Sequence, residues 1–233
     1  MSNPIALSWS RISSYRQCPM QFEAKYISKT YPDEGDNPAF EKGTRIHKQL
    51  EDYINWKRRK GEGIDPPKLG VEASNAKKLI DNYFNAYSPS AINAEKQIAI
   101  NMAWEECDWF DTPDVVKFRG IMDMIVFESP TKMSIIDFKS GKVRPYDEDF
   151  GQLHLSATIM FELFPKIETI TCAYLFVEHK QTIKEVFERS ECHNKNKAHF
   201  EMEYLEINED DSFEAKKNKY CFFCGIKSSC KYG

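Results

Sequence analysis

"FRGIMDMIVFE" (118–128), followed closely by "SIIDFKSGK" (134–142), decides how this chain is read. The first stretch is apolar at both parities. Gly120, Met122, Met124 and Val126 fall on one side of an extended chain, and Ile121, Ile125 and Phe127 on the other. A strand apolar on both faces belongs in the covered centre of a sheet. Asp123 breaks the pattern. A lone buried carboxylate costs roughly several kcal/mol unless something pairs with it, and a salt bridge or a metal ion answers that need equally well. In the second stretch Asp137 and Lys139 are two residues apart and share one face. Carboxylates on adjacent strands can hold a hard cation such as Mg2+ or Mn2+ through oxygen. The lysine adds a positive charge for an attacking hydroxide or a developing phosphorane. Alone, Asp-x-Lys is common on solvent-facing strands; its hairpin distance from Asp123 gives it weight.

Outward from these strands, the first sixty residues read as helical. "SRISSYRQCPMQFEAKYI" starts at Ser10 as cap and is interrupted at Pro19. "FEKGTRIHKQLEDYINWKRRK" places Ile46, Leu50, Tyr53 and Ile54 on one stripe. "GEGIDPP" (61–67) is a loop, and "ASNAKKLIDNYFNAY" is helical again. "EKQIAINMAWE", "VVKFRGIMDMIVFE" and "KMSIIDFK" then read as strands. "DEDFGQLHLSATIMFELF" is a helix with Leu153, Ala157, Met160 and Phe164 on one face. "ETITCAYLFVE" and "TIKEVFER" are two more strands, and a last helix covers about 192–207. This order predicts an α/β core of sheet and flanking helices. The predicted organisation is one domain with a helical N-terminal lobe (1–92), a core (93–190) and a C-terminal helix and cysteine tail (191–233) that packs on that lobe.

The chain has 233 residues, 41% hydrophobic and 29% charged, ordinary for a globular protein. No run reaches the roughly 18–20 apolar residues that span a bilayer, and the N-terminus lacks a signal-peptide layout. A cytoplasmic protein without structural disulfides is the expectation, so the seven cysteines point to metal binding or packing. The net charge of −4 hides an asymmetry: residues 1–60 carry 11 Lys/Arg against 7 Asp/Glu, and 214–233 carry 5 against 1. If these ends meet, they form a basic patch on an acidic body.

"GTRIH", "GIMD", "IIDFKSGK" and "GQLHLSA", in that order, resemble the motifs of the PD-(D/E)XK nuclease superfamily, specifically its RecB-like exonuclease branch, which includes phage exonucleases and the nuclease of CRISPR adaptation. The resemblance implies a restriction-endonuclease-like fold, with a central mixed sheet flanked by helices. It implies His47, Asp123, Asp137 and the Phe138 backbone carbonyl as metal ligands. Lys139 would be the catalytic lysine, and Gln152 the glutamine of the following helix. Family members often continue from that glutamine as Gln-x-x-x-Tyr; here the fifth position is Ser156. Without the resemblance, His47 beside an apolar stripe is as readily a packed histidine. "FKSGK" fails as a phosphate loop, because Ile136 stands where a glycine is required and no Ser/Thr follows Lys142.

"KYCFFCGIKSSC" (219–230) holds three cysteines and so an incomplete metal site. Cys172 sits in an apolar strand, Cys107 in the acidic "WEECDW", Cys192 near a helix start, and Cys18 in "YRQCPMQF". An N-terminal Cys-Pro with a distant Cys-x2-Cys-x5-Cys resembles the [4Fe–4S] staple of one group of these nucleases. That implies Cys18, Cys221, Cys224 and Cys230 as ligands, with Zn2+ the runner-up. Such a staple joins the two basic ends. Lys25, Lys219, Lys227 and Lys231 then become candidate phosphate contacts, and Tyr15, Phe222 and Phe223 candidate stacking platforms for bases.

The expected function is a Mg2+- or Mn2+-dependent DNA nuclease, an exonuclease acting on single-stranded or free ends, in recombination, repair or phage DNA processing. The expected partners are DNA and a helicase or recombination protein, with no membrane. The alternatives are an endonuclease or CRISPR-adaptation-type nuclease and, from another class, a non-catalytic recombination accessory protein. The accessory protein's signature, loss of Asp137 or Lys139, is absent. A zinc-stabilised interaction module explains the tail and leaves Asp123 unexplained.

Overall fold

A computed structural model describes residues 4–32, 38–59, 63–141 and 150–233. Ser8, rather than Ser10, caps the first helix, α1 (Trp9–Gln17), its hydroxyl accepting from the Arg11 N–H. Pro19 then acts as expected. The residue before a proline is pushed out of the helical region, and Cys18 is extended (φ −164°, ψ 109°) between α1 and α2 (Pro19–Tyr26). The next helix, α3 (Pro38–Arg58), buries Ile46, Leu50, Tyr53 and Ile54, the stripe read from their spacing. The following run divides at Asn75–Ala76 into α4 (Val71–Ser74) and α5 (Lys77–Ala86).

The strands follow: β1 (Ile92–Asn101), a two-residue β2 (Glu106–Cys107), β3 (Val116–Ser129) and β4 (Lys132–Lys139). Helix α6 (Gly151–Leu163) leads to β5 (Thr169–Phe176), β6 (Gln181–Glu188) and α7 (Arg189–Glu209). The helix predicted from Asp147 therefore starts at Gly151; 147–149 lie outside the described residues, as does Lys142. The sheet order is β2-β1-β3-β4-β5-β6, with β4 and β5 parallel and the other neighbours antiparallel. A parallel pair needs a crossover, and α6 is the helix within it.

Helices cover both faces. Ile46, Leu50 and Ile54 of α3 and Ile80 of α5 pack on one side with Met124, Val126, Ile136 and Phe138. On the other, Ile12, Phe22, Leu153, Phe161 and Phe200 pack with Phe118, Ile125, Ile135 and Ile170. The N-terminal helices are thus divided between the two faces. Two apolar positions depart from expectation. Ile121 is 43% exposed and Phe164 37% exposed, although both belong to otherwise buried runs. Phe164 has left α6 and caps its C-terminal end. Ile121 is exposed because β3 outruns its neighbour: the β3–β4 pairing stops at Met124↔Ile136.

Beyond that point the free edge of β3 is partly taken by Leu7. Its N–H bonds the Lys117 carbonyl (2.9 Å), and its carbonyl accepts from the Arg119 N–H (2.8 Å). Between Leu7 and β4 the sheet forks, and the acidic residues lie at that fork.

Candidate metal centre and cysteine site

Where β3 and β4 part, the Asp123 side chain takes over from the ladder. Its Oδ2 accepts the Phe138 N–H at 2.6 Å. This fixes one oxygen, and Oδ1 lies 3.3 Å from His47 Nδ1. The same imidazole nitrogen is 3.5 Å from Glu95 Oε1. His47, Glu95 and Asp123 place one ligand atom each within 4.8 Å of one another.

Glu95 was not among the residues picked out from the sequence. It lies in the polar part of β1, between Ala94↔Met124 and Lys96↔Met122, and so faces Asp123. Its φ is 45°, in the left-handed region that a non-glycine residue adopts at a cost. The only signal for it is register: an acidic residue opposite Asp123, visible once the pairing of two strands is known.

Asp137 is buried beside this group, engaged by Lys139 and Gln152. Gln152 Nε2 donates to Asp137 Oδ1 at 2.6 Å, and Lys139 Nζ donates to Gln152 Oε1 at 2.8 Å. Lys139 Nζ is also 2.7 Å from Asp137 Oδ2. That oxygen makes no hydrogen bond of acceptable direction, so the contact is ionic and the buried oxygen keeps acceptor capacity. Tyr174 supports the ammonium, which lies 4.8 Å from its ring centre.

Burial, then the Asp123 charge, raises the Asp137 pKa against the opposing pull of Lys139. Burial would depress the His47 imidazole, but hydrogen bonds to Asp123 and Glu95 outweigh it and raise it to about 10. His47 thus places positive charge between Glu95 and Asp123, and Lys139 places it against Asp137.

A family model for the PD-(D/E)XK nuclease superfamily matches residues 6–231. The chain belongs to the PD-(D/E)XK nuclease superfamily. Its mixed six-stranded sheet flanked by helices agrees with the restriction-endonuclease-like fold of this superfamily. The crystal structure of SSO0001 is similar at 14% identity and a TM-score of 0.47, covering 100% of this chain and 89% of that one. No curated protein matches the chain in sequence.

Around the nuclease core the two chain ends meet. Cys18, Cys221, Cys224 and Cys230 line one cavity at the α1–α2 break. Short 3-10 turns at Cys221–Phe223 and Lys227–Ser229 shape the tail. The Lys216 N–H donates to Cys18 Sγ (3.4 Å) and the Asn218 N–H to Cys221 Sγ (3.3 Å). Asn218 Nδ2 donates to the Gln17 carbonyl (3.0 Å), and the Gly225 N–H to the Tyr31 hydroxyl (2.9 Å). No three of the four sulfurs come within 4.8 Å of one another.

The candidate DNA contacts divide. Tyr15 is enclosed, edge-on to Phe22, with its hydroxyl donating to Asp210 (2.8 Å), so its face is not open to a base. Phe222 and Phe223 are 76% and 80% exposed. Lys25 lies over Tyr31, Lys219 over Tyr220 and Lys227 over Phe222, and Lys231 is 3.7 Å from Glu214. Cys172 is buried in β5 with its thiol pushed up by burial, a packing residue. Among the described residues no helix is long and apolar enough to cross a membrane.

Proposed function

We propose that the protein is a Mg2+- or Mn2+-dependent deoxyribonuclease, and that it acts as an exonuclease on single-stranded or free DNA ends. The observation carrying this reading is the clustering of His47, Glu95 and Asp123 at the β3–β4 fork, with buried Asp137, Lys139 and Gln152 beside them.

The donor set fits a hard divalent cation: one imidazole nitrogen, carboxylate oxygens, and a buried Asp137 oxygen with acceptor capacity to spare. The Phe138 carbonyl joins the set. In a strand the N–H and C=O of one residue point to the same side, and the Phe138 N–H points at Asp123. When bound, such an ion supplies Lewis-acid activation of the phosphodiester and of the attacking water. The chain's own residues do the rest. Asp123 is held rigid by the Phe138 N–H. Gln152 bridges Asp137 and Lys139 and fixes their spacing. Lys139 offers a positive charge to the negative charge developing at the scissile phosphate.

For the cysteine site the reading is a [4Fe–4S] staple rather than Zn2+, as in a RecB-like branch. The spacing supports this reading: Cys18-Pro19 followed far downstream by Cys221-x2-Cys224-x5-Cys230, all four lining one cavity. Backbone N–H donors to two sulfurs suit thiolate ligands of a cluster. The staple's role is structural, clamping the tail onto the α1–α2 break so that 1–233 behaves as one domain.

The exonuclease assignment is tested with linear and covalently closed circular single-stranded DNA of the same sequence. Loss of the linear form with the circle intact is expected; equal loss of both assigns an endonuclease.

A further inference from the structure

The free edge of β3 forms one wall of a second cleft, next to the metal centre. Leu7 occupies the start of that edge and delivers the N-terminus of α1 beside Arg119. The cleft is lined by Trp9, Arg11, Trp109, Arg119, Ile121 and Gln152 among others and encloses about 990 Å3, its open mouth included. Gln152 also binds Asp137 and Lys139, so the cleft opens directly onto the catalytic group.

The two guanidiniums in it are unneutralised. Among the described residues, neither Arg11 nor Arg119 has a carboxylate within 4.0 Å. Arg119 Nε is buried without any hydrogen-bond partner, while its Nη1 donates to the Trp109 carbonyl at 3.2 Å. Arg11 donates to the Ala6 carbonyl and lies 5.3 Å from the Tyr26 ring centre. Burial, then the charge of Arg119, lowers the Arg11 pKa, which marks two cations close enough to repel. Paired cations at a helix N-terminus, with an unused buried N–H, make a setting for an anion. Trp9, with Arg16 over its ring at 4.9 Å, Trp109, with Arg119 over its ring at 5.6 Å, and the exposed Ile121 supply flat walls edged with positive charge, of the kind that carry bases in single-strand grooves. The bases and phosphates of a DNA strand satisfy both features at once.

We propose that this cleft is the strand-positioning subsite of the enzyme: Arg11 and Arg119 grip a phosphodiester of single-stranded DNA next to the scissile bond, and Trp9 and Trp109 face its bases. This deepens the nuclease reading and rests on it for the meaning of "scissile".

The test reads binding apart from cleavage. A fluorescein-labelled, nuclease-resistant phosphorothioate single strand is titrated by anisotropy, without added divalent metal, against wild type, Arg11→Gln/Arg119→Gln and Ile121→Glu. Ile121 is exposed, so its replacement places a carboxylate beside the arginines without opening the core. Both variants should bind about tenfold more weakly, and the arginine variant should lose about 0.7 from the slope of log K against log salt, one phosphate contact. On a cleavable strand KM should rise with kcat nearly unchanged. Unaltered binding and salt slope in folded Ile121→Glu and the arginine variant would overturn the subsite even if the enzyme cleaves DNA. Arginine-dependent binding in a wild type that cleaves nothing would sustain the subsite and overturn the nuclease reading instead.

Discussion

Asp123 Oδ2 accepts the backbone N–H of Phe138 at 2.6 Å, at the point where the β3–β4 ladder ends. A side chain thus replaces a strand partner, and the fork it holds open is where His47, Glu95 and Asp137 gather.

Glu95 is the first test of that arrangement. A left-handed φ of 45° at a non-glycine residue costs roughly 1 kcal/mol or more. Glu95→Gly relieves that strain but removes a carboxylate partner of His47, so metal-free stability should change by no more than about 1 kcal/mol in denaturant unfolding. It should also weaken Mn2+ binding by about 10-fold or more in calorimetric titration, because one of three clustered ligand atoms is gone. A variant that binds Mn2+ as wild type does would remove Glu95 from the ligand set.

Gly151 opens the helix that carries Gln152, and a Cβ there would lie 1.9 Å from the Trp9 ring. Gly151→Ala must move either Trp9 or the start of α6. A loss of about 1–3 kcal/mol is expected from thermal unfolding, with a fall in kcat as Gln152 shifts from Asp137 and Lys139. Full activity at wild-type stability would show that the contact yields without strain.

Cys18 and Cys230 stand at opposite ends of the sequence and line one cavity. Replacing either with Ser should abolish absorbance near about 400 nm in anaerobically prepared protein and loosen the tail equally in limited proteolysis. Colourless wild type carrying one equivalent of zinc would contradict the cluster.

Asp81 gives a pH signature away from the fork. It contacts Lys57 (2.8 Å) and Lys77 (2.5 Å), and Tyr53 donates to it (2.6 Å). Burial alone would raise its pKa; the bonds to Lys57, Lys77 and Tyr53 outweigh that and hold it well below the carboxylate range. A depressed folded-state pKa contributes stability above the unfolded value of about 3.9, and loses it as pH falls through the folded value. Because Lys77 is half exposed, the effect is discounted to about 1 kcal/mol. Asp81→Asn should be less stable than wild type by that amount at neutral pH, with the gap closing below about pH 3.9. A gap independent of pH would assign the loss to packing.

Much of this was legible in the chain, for reasons particular to each element. β4 runs over Lys132–Lys139 as read, because its apolar run is bounded by turn residues and charge. The break at Cys18 follows from Pro19, a local steric rule. The α3 stripe follows from helical period. Glu95 was not legible, since its value depends on which residue it faces across 28 positions of sequence. Nor was the exposure of Ile121, which depends on where β4 stops pairing. The enclosure of Tyr15 by Phe22 and Asp210 is likewise invisible in sequence, where a ring near a basic segment looks the same whether or not it is covered.

The central claim is tested most directly by degradation of end-labelled DNA with Mn2+ or Mg2+, comparing wild type with Asp137→Ala in anaerobic preparations. The account predicts metal-dependent loss of label with wild type and a fall of about 10²-fold or more with Asp137→Ala. Wild type and variant leaving DNA equally intact, or degrading it equally, would contradict it.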